Sequence, residues 1–215
     1  MKKITILGGC LFALALTSCN YLDREPLDAI GKDQYFASAN AAALEQYCNN
    51  FYPDLIAGHG GAKGFTFGMM QRDITSDDVI RWERDNTSFG LHTKPSGTSN
   101  TNWNWSIIRA CNDFLDNYAQ SPESETVKQK YAGQVLFFKT MDYFNKLNAY
   151  GDLPWYEHVL NPGDEDLYKG RDSRTVVADN MLRDIDQAIA WLPKASHVTS
   201  VGKEAALALK ARFCL

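Results

Sequence analysis

The segment from Pro122 to about Ala149 constrains this chain more than any other. Its apolar residues recur at helical spacing on two faces, Val127, Tyr131, Val135, Phe138 and Met141 on one and Leu136, Tyr143 and Leu147 on the other. A helix with one apolar stripe can lie on the surface of a domain, but a helix with two has to sit between neighbours. Helices are therefore expected on both sides of it. Ser121-Pro122 marks its start, with Ser as N-cap, Pro at the first helical position and Glu123 near the positive end of the helix dipole. Gly151 is the expected left-handed stop, and Pro154 prevents resumption.

The neighbours are legible from their stripes. A first helix is predicted from about Ala39 to Phe51, with Leu44, Tyr47, Cys48 and Phe51 in register, and Pro53 ends it. A second begins near Asn102 and carries Trp105, Ile108, Cys111, Leu115 and Tyr118. After the third comes a turn containing Asp164-Glu165-Asp166. Ser173 then caps a fourth helix bearing Val177, Met181, Ile185, Ala188, Ile189 and Leu192, closed by Pro193. A fifth starts near Lys203 and runs to Leu215 without a cap. An apolar end at Phe213-Cys214-Leu215 should be covered, which predicts a truncated chain that naturally continues. The stretch from Asp54 to Asn100 has no sustained period and is rich in Gly, Ser, Thr, Asn and Asp, so it is read as a long loop insertion. The expected fold is all-α, built of antiparallel helix pairs that are tetratricopeptide-like but too loosely spaced to be a regular repeat.

The first residues give an address. Lys2 and Lys3 precede an apolar run from Ile4 to Leu16, which is short of the roughly 20 residues that span a bilayer, and Leu16-Thr17-Ser18-Cys19 follows as a lipobox. The expectation is a cleaved signal peptide over 1–18, with Cys19 lipidated at the new amino terminus. At about 0.8 kcal/mol per buried methylene, several acyl chains give stable anchoring where one would be marginal. An ordinary secretory signal with Cys19 incidental is the alternative. Asn20 is not the Asp that signals inner-membrane retention, which favours the outer membrane. Residues 19–37 are read as an irregular lipidated tether, and 38–215 as the helical domain, incomplete at its end.

Removing Lys2 and Lys3 leaves 20 basic side chains, from 22, against 26 acidic ones. An acidic chain without a basic cluster does not neutralise phosphates, so nucleic acid is excluded as a partner. Cys48, Cys111 and Cys214 lie within apolar stripes and are read as buried thiols, with a Cys48 to Cys111 bridge as the alternative. His59, His92, His158 and His197 are scattered, with no Cys-x-x-Cys or paired spacing, and Asp164-Glu165-Asp166 lacks the alternation and Gly of a calcium loop. No metal and no cofactor are expected.

Several segments together resemble one family, the SusD-like (RagB/SusD) outer-membrane lipoproteins. They are the lipobox followed by Tyr21-Leu22-Asp23-x-x-Pro26, then Trp105-x-x-Ile108-x-x-x-Asn112-x-x-Leu115, then Tyr143-Phe144-x-x-Leu147-x-x-Tyr150-Gly151-Asp152-Leu153-Pro154. Further on come Arg171-Asp172-Ser173, Asp184-Ile185-Asp186-x-Ala188 with Leu192-Pro193, and Gly202-Lys203-x-Ala205-Ala206-Leu207-Ala208-Leu209-Lys210-Ala211-Arg212. Order and spacing from Cys19 to Arg212 carry the resemblance. One departure is Gly133-Gln134-Val135-Leu136-Phe137-Phe138-Lys139, where the family usually has Ala-Glu-Ala-Arg-Phe-Leu-Arg. The other is the absent C-terminal half, which in relatives supplies much of the ligand site. The resemblance implies a tetratricopeptide-like scaffold facing the cell exterior. It sits over a TonB-dependent (SusC-like) barrel, captures oligosaccharides or in some members peptides for import, and has no catalytic role. From other classes, a surface lipoprotein hydrolase and a helical-repeat adaptor stay as alternatives.

Carbohydrate recognition uses flat aromatic faces with amides, carboxylates or guanidinium groups reaching hydroxyls. Trp82 with Arg81 and Arg84, and Trp103 with Asn102 and Asn104, supply both kinds. Each tryptophan is alternatively a cover for the core edge. Trp155-Tyr156 is read as packing or transporter contact, and Trp191 as core. For a glycosidase, Asp77-Asp78 is the one close carboxylate pair near the loop aromatics, and adjacent loop acids commonly serve turns or caps. No Gly-x-Ser-x-Gly, P-loop or zinc motif occurs.

Overall fold

The computed structural model describes residues 31–56, 90–91, 103–195, 197 and 199–214. Among them are seven α-helices: α1 (Lys32–Ser38), α2 (Ala41–Asn49), α3 (Tyr52–Leu55), α4 (Ser106–Asn117), α5 (Glu125–Tyr150), α6 (Arg174–Trp191) and α7 (Lys203–Phe213). Short 3-10 turns follow α4 (Tyr118–Gln120) and precede α6 (Glu165–Tyr168). The fold is all-α and tetratricopeptide-like.

Helix α5 is the central member, as its two apolar faces require. It packs against α2, α4, α6 and α7, and every residue from 131 to 140 is buried. Side-chain contacts set the direction of each neighbour. Trp105 at the start of α4 meets Tyr143 near the end of α5, while Lys128 near the start of α5 donates to the Ala119 carbonyl just past α4. That pair is antiparallel. Likewise Gly133 lies beside Leu192 at the end of α6, and Lys139 reaches Asp184 further up it. A methyl group on Gly133 would stand 3.1 Å from Leu192 Cγ, so the missing side chain permits the close approach of α5 and α6. Nearby, Gln134 Nε2 reaches the Val201 carbonyl, tying α5 to the loop before α7.

The start of α5 differs from the sequence expectation for a physical reason. Ser121 and Glu123 do not cap their own helix, which begins at Glu125 after Ser124. Ser121 is buried and donates to the Ala39 carbonyl at 2.7 Å. Glu123 Oε1 accepts from the Ala41 amide at 2.8 Å, and Asn40 accepts from Ala43 at 3.0 Å, so both satisfy the first turn of α2 instead. Glu123 thus serves the start of a different helix, while Ser121 donates to a carbonyl instead of acting as an N-cap and Pro122 lies before the first helical position.

Other boundaries shift more simply. The last residues read as irregular tether form α1, because Phe36 is buried against Tyr47 and Phe114 at 5.8 Å from each. Pro53 does not close a helix. It occupies the first turn of α3, where its missing N–H costs nothing. Gly151 at φ +74° ends α5, and Ser173 Oγ accepts from the Val176 amide, both as expected. Cys48 and Cys111 are free buried thiols, and burial raises the pKa of both. Cys214, expected to be buried, is exposed at the end of α7.

Candidate functional site

Where α4 begins and α5 ends, six aromatic side chains converge. Their placement starts with local chemistry. Asn104 Oδ1 accepts from the Ser106 amide at 2.9 Å and so starts α4, leaving Trp103 and Trp105 on non-helical backbone before it. The positive φ of Gly151 turns the chain out of α5. A single antiparallel bridge between Leu153 and Asp172 then holds the returning strand against the entry to α6.

The aromatic contacts form a continuous chain. Trp103 meets Tyr150 at 4.9 Å and Trp105 at 5.2 Å, both edge to face. Trp105 meets Tyr156 at 5.5 Å and Tyr143 at 6.0 Å. Tyr143 in turn stacks on Trp155 at 4.1 Å. Edge-to-face and offset geometries are the favoured arrangements for ring quadrupoles. Tyr143 and Trp155 are buried, whereas Trp103, Trp105, Tyr150 and Tyr156 are partly open.

Cations lie over these rings. Arg171 sits 4.7 Å from the Trp103 centroid, Lys169 5.0 Å from Tyr156, Lys139 5.0 Å from Trp155 and Lys146 5.7 Å from Trp105. All are within the roughly 6 Å over which a cation is drawn to a ring face. Of the four, Arg171 is exposed, and it touches the Asp152 carbonyl at 3.5 Å.

Beneath the rings run two buried ion pairs. Lys146 Nζ contacts both Asp142 oxygens at 2.6 and 2.7 Å within α5. Burial raises the Asp142 pKa against the opposing pull of Lys146. Lys139 stands 3.7 Å from Asp184, which also binds Arg183, and Arg183 continues to Glu157 at 2.8 Å. Burial lowers the Lys139 pKa, and the hydrogen bond from Arg183 holds Glu157 below its ordinary value. At the bridge, Asp172 accepts from the Trp155 amide at 2.7 Å and pairs with Lys169 at 3.2 Å. That amide hydrogen bond is the main cause lowering its pKa.

Beside the aromatic chain lies a cleft of about 420 Å³, lined among others by Asn104, Asp142, Asn145, Lys146 and Tyr150. It is polar, with planar amides and one aromatic ring at its wall. This is the arrangement that can exchange hydrogen bonds with a polyhydroxylated ligand while a ring packs against its C–H face.

Of the residues singled out from sequence, Trp103 is half-buried in the aromatic chain and Asn104 is exposed at the cleft. They come together with Tyr150. Asn102, Arg81, Trp82, Arg84 and the Asp77-Asp78 pair lie outside the described residues, as does Cys19. Trp155 is buried packing, and Trp191 is half-buried at the edge of the core, 6.4 Å from Tyr118. The sequence reading missed Tyr150 and Arg171 as site residues. Both fall inside segments that carried the resemblance, which was the one available signal.

Comparison with known proteins gives a consistent answer. The SusD-like family model described as "Starch-binding associating with outer membrane" matches residues 20–215. Two SusD-like proteins of Formosa agariphila, P2 and P38, are 21% and 25% identical over 97% and 98% of this chain. The chain spans 42% of the length of each. A SusD-like protein from Bacteroides fragilis superposes with a TM-score of 0.67 at 24% identity, over 88% of this chain and 37% of that one. A SusD-like carbohydrate binding protein from the same species gives 0.65 at 22% identity, over 84% and 38%. These structural likenesses concern the fold. With the family model covering the whole sequence after its first 19 residues, the chain belongs to the SusD-like family.

Proposed function

We propose that this chain is the N-terminal part of a cell-surface lipoprotein that captures oligosaccharide and hands it to a TonB-dependent (SusC-like) outer-membrane barrel. Residues 1–18 act as the signal peptide, Cys19 carries the lipid and 19–30 lead to the helical domain. The observation that carries the reading is a polar cleft walled by Asn104 and Tyr150, with Trp103 packed against Tyr150 and Arg171 over the Trp103 ring, in a chain of this family. A relative of the same fold is itself described as carbohydrate binding. Trp103 supplies the aromatic surface, while Asn104 and Arg171 reach ligand hydroxyls. Arg81, Trp82 and Arg84 add contacts from the long insertion, and Asn102 adds one from beside Trp103. The protein binds and transfers its ligand without cleaving it.

The test is to extract the natural full-length protein gently from outer membranes of its host and identify what accompanies it by mass spectrometry. A stoichiometric TonB-dependent barrel is the expected result. Its absence under conditions that preserve other membrane complexes would contradict the uptake role.

A further inference from the structure

Beyond Trp105 from the polar cleft there is a second recess, of about 330 Å³, with a different lining. Its walls are Trp105, Tyr156, Ile108, Leu160 and Leu167, and Asn112 lies among them. Two aromatic rings set edge to face and three aliphatic side chains make it largely apolar. One buried polar group breaks that surface.

Asn112 is 1% exposed. Its Nδ2 donates to the carbonyls of Tyr156 and His158, at 3.0 and 3.2 Å, so its amide orientation is set by two acceptors. Oδ1 is then an acceptor, and it has no hydrogen-bond partner. Buried acceptors left without a donor are uncommon and costly, and a bound donor relieves the cost. At the rim, Arg109 is held by one nitrogen to the Leu160 carbonyl at 2.6 Å, leaving its other N–H groups for a ligand. His158 is held through Nδ1 by Asp116 at 2.7 Å with its ring otherwise exposed. The recess is at the small end of the roughly 300 to 1,000 Å³ that small-molecule sites occupy. It suits one ring better than an extended chain.

We propose that this recess is a second ligand site, separate from Trp103, which takes a single sugar ring against Trp105 and Tyr156 with one hydroxyl donating to Asn112 Oδ1. The class of ligand rests on the carbohydrate-binding reading above. The location rests on the orphaned acceptor and the aromatic wall. A site for a ring end next to a site for a longer stretch would let the protein grip the terminus of an oligosaccharide.

The experiment is saturation-transfer NMR on the full chain with glucose, galactose, mannose, N-acetylglucosamine and glucuronate in turn. It compares the unaltered protein with Leu160→Trp, Leu167→Trp and, as a control outside both sites, Leu207→Trp at a position 47% exposed on α7. At least one monosaccharide should receive saturation. Its affinity should fall ten-fold or more in both space-filling variants of the recess and stay within two-fold in Leu207→Trp. Leu167 is 45% exposed on a 3-10 turn, so its replacement preserves folding even if that of Leu160 does not. Transfer from none of the five sugars, transfer insensitive to a folded filling variant, or transfer lost equally in Leu207→Trp would overturn the proposal. Failure of the uptake reading is separate, since it would appear as absence of the barrel from the extracted complex.

Discussion

The phenolic oxygen of Tyr143 accepts a hydrogen bond from the backbone amide of Tyr156 at 2.9 Å. The same hydroxyl lies 3.5 Å from the Pro154 carbonyl. One fully buried side chain of α5 thus holds the turn that returns toward α6, and with it the ring of Trp155. Replacing Tyr143 by Phe keeps the ring and strands the Tyr156 amide. The expected loss is about 1 to 3 kcal/mol, measured by denaturant unfolding. A loss under 0.5 kcal/mol would show that the turn is held by its packing and the Leu153–Asp172 bridge alone.

Glu123 should behave as a cap for a helix that precedes it by 82 residues. Glu123→Ala is expected to cost about 1 kcal/mol, the usual worth of an N-terminal cap. Glu125 is 70% exposed and pairs with Lys128 one turn along. Glu125→Ala should therefore change stability by no more than about 0.5 kcal/mol. Equal effects in thermal unfolding would place the capping role of Glu123 in doubt.

Gly151 has φ +74°, where a side chain is strained whatever space surrounds it. Gly151→Ala is expected to destabilise the protein by about 1 kcal/mol or more. Gly170 has open space around it and an ordinary φ, so Gly170→Ala is the matched control, expected to be neutral or slightly stabilising. The comparison is read from the two unfolding midpoints.

The bridge residue Asp172 gives a pH signature. Its folded pKa lies below the ordinary 3.8, mainly through the Trp155 amide, with Lys169 contributing. A carboxylate with a depressed folded pKa contributes stability that is fully present above its unfolded pKa and is lost as pH falls through the folded value. The gap in melting temperature between the unaltered protein and Asp172→Asn should therefore be constant from pH 7 to about 5, then close as the pH drops below 4. A gap that stays constant to pH 2.5 would contradict the role given to the charge.

What was legible in the sequence was local. Gly151, Pro154 and Ser173 act through their own backbone, and α5 is recognisable because both its stripes persist over many turns. Helix α1 was not legible, because seven residues carry too little periodicity and depend on Phe36 reaching Phe114. Glu123 was assigned to the wrong helix because its partner is distant in sequence. At the site, Trp103 and Asn104 stood out by residue type. Tyr150 fell just past the predicted end of a helix at about Ala149, and Arg171 reaches Trp103 only through the fold-back that the Leu153–Asp172 bridge creates. Cys214 shared a periodic stripe with buried neighbours, yet α7 buries chiefly Ala206 and Leu209.

Glycan-array binding of the natural full-length protein, with and without Trp103→Ala, is the decisive measurement of oligosaccharide capture. At least one class of oligosaccharide should be retained, and Trp103→Ala should weaken it ten-fold or more, about 1.4 kcal/mol, while the melting temperature stays within a few degrees. Oligosaccharide binding unchanged by the loss of Trp103, or no oligosaccharide retained at all, would contradict the capture role.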